Sequence, residues 1–187
     1  MKRIAELFGE SQVIAAVRSE EQLRQAVNSP VAAIFLLHGD INVLLDYVDY
    51  AKGHNKAVFP HMDLMAGIAG DKAGVEYVAR EVAPDGIITT RSNLIKAARK
   101  QGLLTIQRLF LVDSTAVETG IHAVLENQPD AVEVMPGILP KVVAKIKDRI
   151  TQPVIAGGLI EDKEEIEQVL AAGAQAVSVG NPKLWAN

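Results

Sequence analysis

The chain has no cysteine in its 187 residues, which removes disulfide scaffolds, Cys-type structural zinc and thiol nucleophiles together. Aromatic residues make up only 4%, so the stacking platforms of many RNA-binding modules have little to draw on. No stretch approaches the ~18 uncharged apolar residues that a membrane helix needs. The opening Met1-Lys2-Arg3-Ile4-Ala5-Glu6-Leu7-Phe8 is basic, but it meets an acid and then a glycine before a signal-type apolar run can form. The cytoplasm is therefore the expected location. Low-complexity segments and linker-like runs of Gly, Ser or Pro are also lacking, and the length suits one domain over 1–187. Nor is there an excess of positive charge: 19 basic against 23 acidic residues give a net charge of -4, so a surface for a polyanion has to be a local patch.

What the chain does have is a recurring alternation of short Val/Ile-rich runs with helically spaced segments, the pattern of stacked βα units. Eight runs stand out: 13–17, 33–37, 57–59, 86–89, 103–106, 131–134, 153–156 and 176–179. Their hydrophobicity is continuous, which means burial on both faces, as in parallel strands covered by helices. Between them, Asp40 can cap a helix burying Ile41, Leu44, Leu45 and Val48. Asp162 with Glu165 starts another that buries Ile166, Val169 and Leu170. Pro140 suits the first position of a helix carrying Val142, Val143 and Ile146 inward. Gly102 and Gly173 stand where helices should end. A faint echo links Pro84-Asp85-Gly86-Ile87-Ile88 and Pro129-Asp130-Ala131-Val132-Glu133, which enter two strands with the same dipeptide.

Eight such units fit either a closed (β/α)8 barrel or an open doubly wound sheet. Length argues against the barrel, since typical examples run to ~250 residues. The strand count argues for it, because an open sheet would show polar alternation on its edge strands. The expectation is an α/β chain forming a compact (β/α)8 TIM-type barrel with short loops and a truncated last helix, anchored by Trp185.

In a barrel the chemistry sits at the carboxyl ends of the strands. Those ends carry His38, His61 with Asp63, Thr90 with Arg91, Gln107 with Arg108, Glu133, Gly157-Gly158 and Gly180-Asn181. The glycine pair after the seventh strand, with Gly180 and Asn181 after the eighth, matches the place where barrels bind phosphate on bare N–H groups. Tight turns alone would also explain the glycines. His61 and Asp63 suit proton transfer or substrate hydroxyls; as two ligands they are too few for a metal site, and adding Glu133 from across the barrel opens the reading of a divalent ion, beside that of satisfied polar residues at the rim. Arg91 and Arg108 suit phosphate through paired N–H donors, or ion pairs with Asp63, Asp113 or Glu133. Two basic sets, Lys96, Arg99 and Lys100 on the fourth helix and Lys141, Lys145 and Arg149 on the sixth, could meet a phosphate backbone or simply be solvated helix faces.

Several segments resemble the glycerol-uptake operon antiterminator family: His61-Met62-Asp63-Leu64, Gly86-Ile87-Ile88-Thr89-Thr90, Asn93-Leu94-Ile95, the run from Thr105 through Gln107-Arg108 to Asp113-Ser114, Glu133-Val134-Met135-Pro136-Gly137, and Pro153 through Gly157-Gly158 to Ile160. The likeness spans essentially the whole chain. It implies a non-catalytic barrel that responds to glycerol 3-phosphate and binds and stabilises the leader mRNA of a glycerol-metabolism operon. No metal or cofactor beyond that effector is implied, no membrane partner either, and homo-oligomerisation stays open. Phosphate contacts would then fall to Gly157, Gly158, Gly180, Asn181, Arg91 and Arg108, and glycerol hydroxyls to His61, Asp63, Gln107 and Glu133. Lys96, Arg99 and Lys100 are the candidate RNA patch. The eighth strand departs from the family pattern, in which hydroxyl residues precede the asparagine, whereas here Val179-Gly180 precede Asn181. The rival reading is an enzyme on a small phosphorylated substrate with His61, Asp63 and Glu133 at the mouth.

Overall fold

The computed structural model describes residues 4–8 and 12–186. In chain order it runs β1 (Val13–Val17), α1 (Glu20–Val27), β2 (Ala33–Leu36), α2 (Leu44–Gly53), β3 (Ala57–Pro60), α3 (Lys72–Tyr77), β4 (Gly86–Thr89), α4 (Ser92–Lys100), β5 (Leu104–Phe110), α5 (Ser114–Asn127), β6 (Ala131–Met135), α6 (Pro140–Lys147), β7 (Val154–Gly157), α7 (Lys163–Ala171) and β8 (Ala176–Val179). A π-helical turn, Val78–Val82, extends α3. The strands pair in parallel in the order β3-β2-β1-β8-β7-β6-β5-β4. A single parallel bridge, His61 to Ile88, brings β3 against β4. The fold is a (β/α)8 TIM-type barrel, closed everywhere by ladders except at this one seam.

Two apolar layers explain why the strand runs do not alternate in the sequence. Ile14, Phe35, Phe59, Ile88, Ile106 and Ile155 fill the barrel interior, where Phe35 and Phe59 meet edge-on with centroids 5.9 Å apart. Their neighbours Val13, Ile34, Val58, Ile87, Val132 and Val154 point outward and pack in the second core cluster, which includes the buried helix residues. Ile4 and Phe8 join the interior cluster from the N-terminal segment.

The Pro-Asp echo has one structural task at both places. Asp85 Oδ2 accepts the Val58 N–H of β3 at 2.9 Å, and Asp130 Oδ2 accepts the Thr105 N–H of β5 at 2.8 Å. Each aspartate enters its own strand and ties down the strand before it. At the seam this bond supplements the lone bridge.

Asp162 caps α7 by accepting the Glu165 N–H at 2.9 Å, but the Glu165 carboxylate accepts from Glu161, one residue before a standard capping box. Pro140 opens α6, burying Val143 and Ile146 and leaving Val142 half-buried, and Gly102 and Gly173 follow α4 and α7 with positive φ. Past β8 only a 3-10 turn, Pro182–Leu184, remains, and Trp185 anchors it, fully buried with its indole N–H on Val179 O at 2.8 Å. Two expectations need correction. Asp40 does not cap α2, which starts four residues later; its carboxylate instead accepts the Asn42 N–H, and Ile41 and Leu45 are exposed while Leu44 and Val48 are buried. Likewise β5 does not end at Ile106 but runs on to Phe110, which changes where Gln107 and Arg108 point.

Candidate anion site at the barrel mouth

Strand parity decides which polar side chains enter the barrel. Along β5, Leu104 and Ile106 face inward, so Arg108 does too, beside its register partner Glu133 on β6. By the same rule Ala176 and Gly180 bracket an inward Ser178 on β8. The three meet: Arg108 Nε donates to Glu133 Oε2 at 2.5 Å, and the Ser178 hydroxyl donates to Glu133 Oε1 at 2.5 Å. Glu133 is 0% exposed. Both of its oxygens accept from these donors, and its place is to compensate and orient the guanidinium. Gly157 makes room for this pair, because a Cβ there would lie 2.5 Å from Ser178 Oγ and 2.6 Å from Glu133 Oε1.

Above the pair lies a cavity of about 360 Å³, lined by Arg18, Gln22, Arg108, Ser178, Gly180, Asn181 and the Gly158–Glu161 turn, among others. That volume falls in the range of small-ligand sites, roughly 300–1,000 Å³. The turn after β7 holds two successive left-handed residues, Gly158 at φ +77° and Leu159 at φ +62°. For leucine this costs ~1–2 kcal/mol, and the side chain is 65% exposed. Among the described residues, the N–H groups of Gly158, Leu159, Gly180 and Asn181 donate to no protein acceptor. The Arg18 guanidinium likewise has no carboxylate within 4 Å. The Asn181 side chain is occupied, since its Oδ1 accepts the Lys183 N–H that starts the C-terminal turn. Free amides on a left-handed turn beside two arginines form a concavity suited to an anion.

The other expected site residues go elsewhere. Asp63 clasps the seam: it accepts from the Thr89 and Thr90 hydroxyls and the Thr90 N–H at 2.8–3.1 Å and pairs with Arg91 Nε at 3.3 Å. Arg91 also donates to Gly70 O, so it serves the β3–β4 side and is not a lining group of the cavity. His61 is 3% exposed, and its Nδ1, 3.8 Å from Asp63, has no hydrogen-bond partner. Burial, then the nearby Arg108 charge, pushes its imidazole down to about 4, with Asp63 opposing. Gln107 points away from the interior and is buried, accepting from Asn127 of α5, which also donates to Ser92 of α4. Lys96 pairs with Glu126, Arg99 donates to Asn127 O, and Lys145 and Arg149 both pair with Glu118. No cluster of three or more metal-ligating side chains occurs among the described residues. Arg18, Gln22, Glu161 and Ser178 are polar cavity residues that reading strand ends missed. Arg18 directly follows β1, and Ser178 is legible by parity with Gly180.

A family model described as glycerol-3-phosphate responsive antiterminator matches residues 13–185. The crystal structure of the glycerol uptake operon antiterminator regulatory protein of Listeria monocytogenes superposes with a TM-score of 0.92 at 37% identity, covering 95% of this chain and 96% of that one. An antiterminator-related protein of Thermotoga maritima gives 0.82 at 33% identity over 92% and 96% of the two chains. The Escherichia coli protein YgcP is 35% identical over 179 residues, which is 96% of this chain and 94% of YgcP. At 18% identity and below the same barrel recurs in enzymes, a likeness of fold alone. No helix among the described residues is long and apolar enough to cross a membrane.

Proposed function

The chain belongs to the glycerol-3-phosphate responsive antiterminator family, and from that premise we propose that it senses glycerol 3-phosphate in the β7–β8 mouth cavity and, when loaded, binds a glycerol-operon leader mRNA. The observation that carries the ligand reading is the cavity itself. Its free amides at Gly158, Leu159, Gly180 and Asn181 lie with Arg18 and Arg108 around a space of small-ligand size. The phosphoryl group takes the amides and Arg18, and the glycerol end turns toward Arg108 and Ser178.

The same geometry favours sensing over catalysis. A general acid or base has to be free to exchange a proton with the substrate. Asp63 is saturated by hydrogen bonds from β4, Glu133 is sealed under Arg108 and Ser178, and His61 is buried with its basicity lowered. The chain acts in this reading without a metal or an organic cofactor.

Calorimetric titration with glycerol 3-phosphate, inorganic phosphate and glycerol tests the site. Saturable binding of glycerol 3-phosphate, weakened by Arg18→Gln, is expected. Indifference to all three compounds would defeat the ligand reading. Gel shifts of the leader transcript with and without effector test the switch, and identical shifts would defeat it. Phosphorus NMR of a long incubation should show glycerol 3-phosphate unchanged.

A further inference from the structure

All helices of a (β/α)8 barrel point the same way, with their C-termini at the face opposite the ligand mouth. Acids in first turns and bases in last turns complement helix dipoles, so some separation of charge along the barrel axis is ordinary. The distribution here goes further. Away from one sector, and apart from Arg18, Lys141, Lys147, Lys163 and Lys183, which have no ion pair among the described residues, the cations are neutralised by carboxylates, among them Arg24 by Glu20, Lys96 by Glu126, and Lys145 and Arg149 by Glu118. In the sector formed by the ends of α2, the π-helical turn and α4 they are not. Lys52 donates to Ala83 O at 2.8 Å, Lys56 to Ser29 O and Val31 O, and Arg99 to Asn127 O at 3.0 Å. Backbone carbonyls hold these side chains in place and leave their charge uncancelled. Arg80 and Lys100 are exposed and have no carboxylate within 4 Å among the described residues.

These elements adjoin. Lys52 reaches from α2 to the residue that ends the π-helical turn, and α3, which that turn continues, packs against α4. A groove of about 320 Å³ runs beside them, lined in part by Lys52, Asn55 and Lys56. Next to it, Tyr50 and His54 stack edge-on at 4.7 Å and are both exposed. Glu6 and Asp85 line the groove as well, and Asp49 and Glu81 are exposed acids near its border. The mouth end carries Glu21, Asp71, Asp113, Asp162 and Glu164 in first turns and caps, interspersed with the unpaired cations Arg18, Lys141, Lys163 and Lys183, so its charge is mixed where that of the α2–α4 sector is mainly positive.

We propose that the phosphate backbone of the RNA docks on the N-terminal face of the barrel, across Lys52, Arg80, Arg99 and Lys100, opposite the effector cavity. This inference rests on the RNA reading above and relocates its surface: Lys96 drops out through its ion pair, and Lys52 and Arg80 enter from neighbouring elements. Contacts of this kind are salt-sensitive, with a slope of ~0.7 per phosphate for single strands.

The test compares the protein with Arg80→Glu/Lys100→Glu and, as a mouth-end control with the same charge change, Lys141→Glu/Lys163→Glu. Each is titrated against the leader transcript of the glycerol operon encoded in the same genome, at saturating glycerol 3-phosphate and several salt concentrations. None of the four side chains makes a bond within the described protein, so unfolding midpoints should match. Arg80→Glu/Lys100→Glu should weaken binding by roughly tenfold or more and make the salt slope shallower by about 1.4, while the control stays within about twofold. Binding that survives Arg80→Glu/Lys100→Glu, or that falls equally in both pairs, would overturn the assignment of this face and leave the RNA reading standing. Absence of binding by the unaltered protein, with calorimetry still showing effector, would remove the RNA reading and this inference with it.

Discussion

Replacing Glu133 with leucine isolates the energetics of the pair beneath the cavity. Arg108 is 6% exposed and Glu133 0%, so removing the carboxylate strands a guanidinium that cannot recover full hydration. Breaking a buried pair from one side costs ~3–5 kcal/mol, a large fraction of the ~5–15 kcal/mol that holds a domain folded. The Ser178 hydroxyl loses its acceptor as well, adding ~1 kcal/mol. Arg108→Met on its own leaves the mirror defect, an unpaired buried carboxylate. With both changes together no charge remains, and replacing such a pair by apolar groups is near neutral or stabilising by ~1–4 kcal/mol. Urea unfolding of the single and double variants should therefore show a coupling of at least ~3 kcal/mol, with the double variant near the parent. Calorimetry should show that this stable double variant has lost glycerol 3-phosphate binding, because Arg108 is gone. Penalties that simply add, to within the ~0.5 kcal/mol seen for independent sites, would refute the view that Glu133 serves to compensate Arg108.

The pH dependence follows from His61. Its folded value of about 4 lies below the ordinary 6.5 of histidine, so the unfolded chain binds the proton more tightly and stability falls as pH drops from 6.5 toward 4. About 2 kcal/mol should be lost between neutrality and pH ~4.5, and urea midpoints of His61→Asn should lack that part of the loss. Gly158→Ala forces a Cβ at φ +77° and within 2.7 Å of Met135 Cε. The left-handed conformation should cost ~1–2 kcal/mol by unfolding, and weaker effector binding should accompany it. Asp85→Ala removes the side-chain acceptor of Val58 N–H at the one junction without a ladder. Hydrogen exchange should accelerate at Val58 and Ile88 more than Asp130→Ala accelerates it at Thr105, where β5 and β6 stay fully paired.

The strands were legible because burial on both faces writes Val and Ile without interruption, and each of the eight runs became a strand. The miscounted end of β5 shows where that logic stops. Gln107 and Arg108 read as polar termini because hydrophobicity had run out, yet both are buried inside the strand, one toward the helices and one toward the barrel axis. A polar residue continues a strand when a partner waits on an adjoining element, and no local pattern announces that Glu133 comes into register with Arg108. Asp40 failed as a cap for a related reason: its carboxylate closes a turn onto Asn42 while its backbone bridges Ala66, a contact from the loop after β3.

The site was half legible. Reading strand ends located the glycine turns after β7 and β8, because backbone exposure there follows from sequence position. It gave equal standing to Asp63 and Arg91, which the barrel spends on holding β3 to β4, and to His61, whose Nδ1 is buried there without a hydrogen-bond partner, since being at a strand end does not say which neighbour lacks a ladder. The seam falls between β3 and β4, and Asp63, Thr89, Thr90 and Arg91 are the polar groups consumed in closing it. Where ladders already close the barrel, between β6, β7, β8 and β1, the strand-end groups are left free to face a ligand. That division accounts for Arg18 as well: it ends β1, a strand paired on both sides, and nothing in the fold requires its charge.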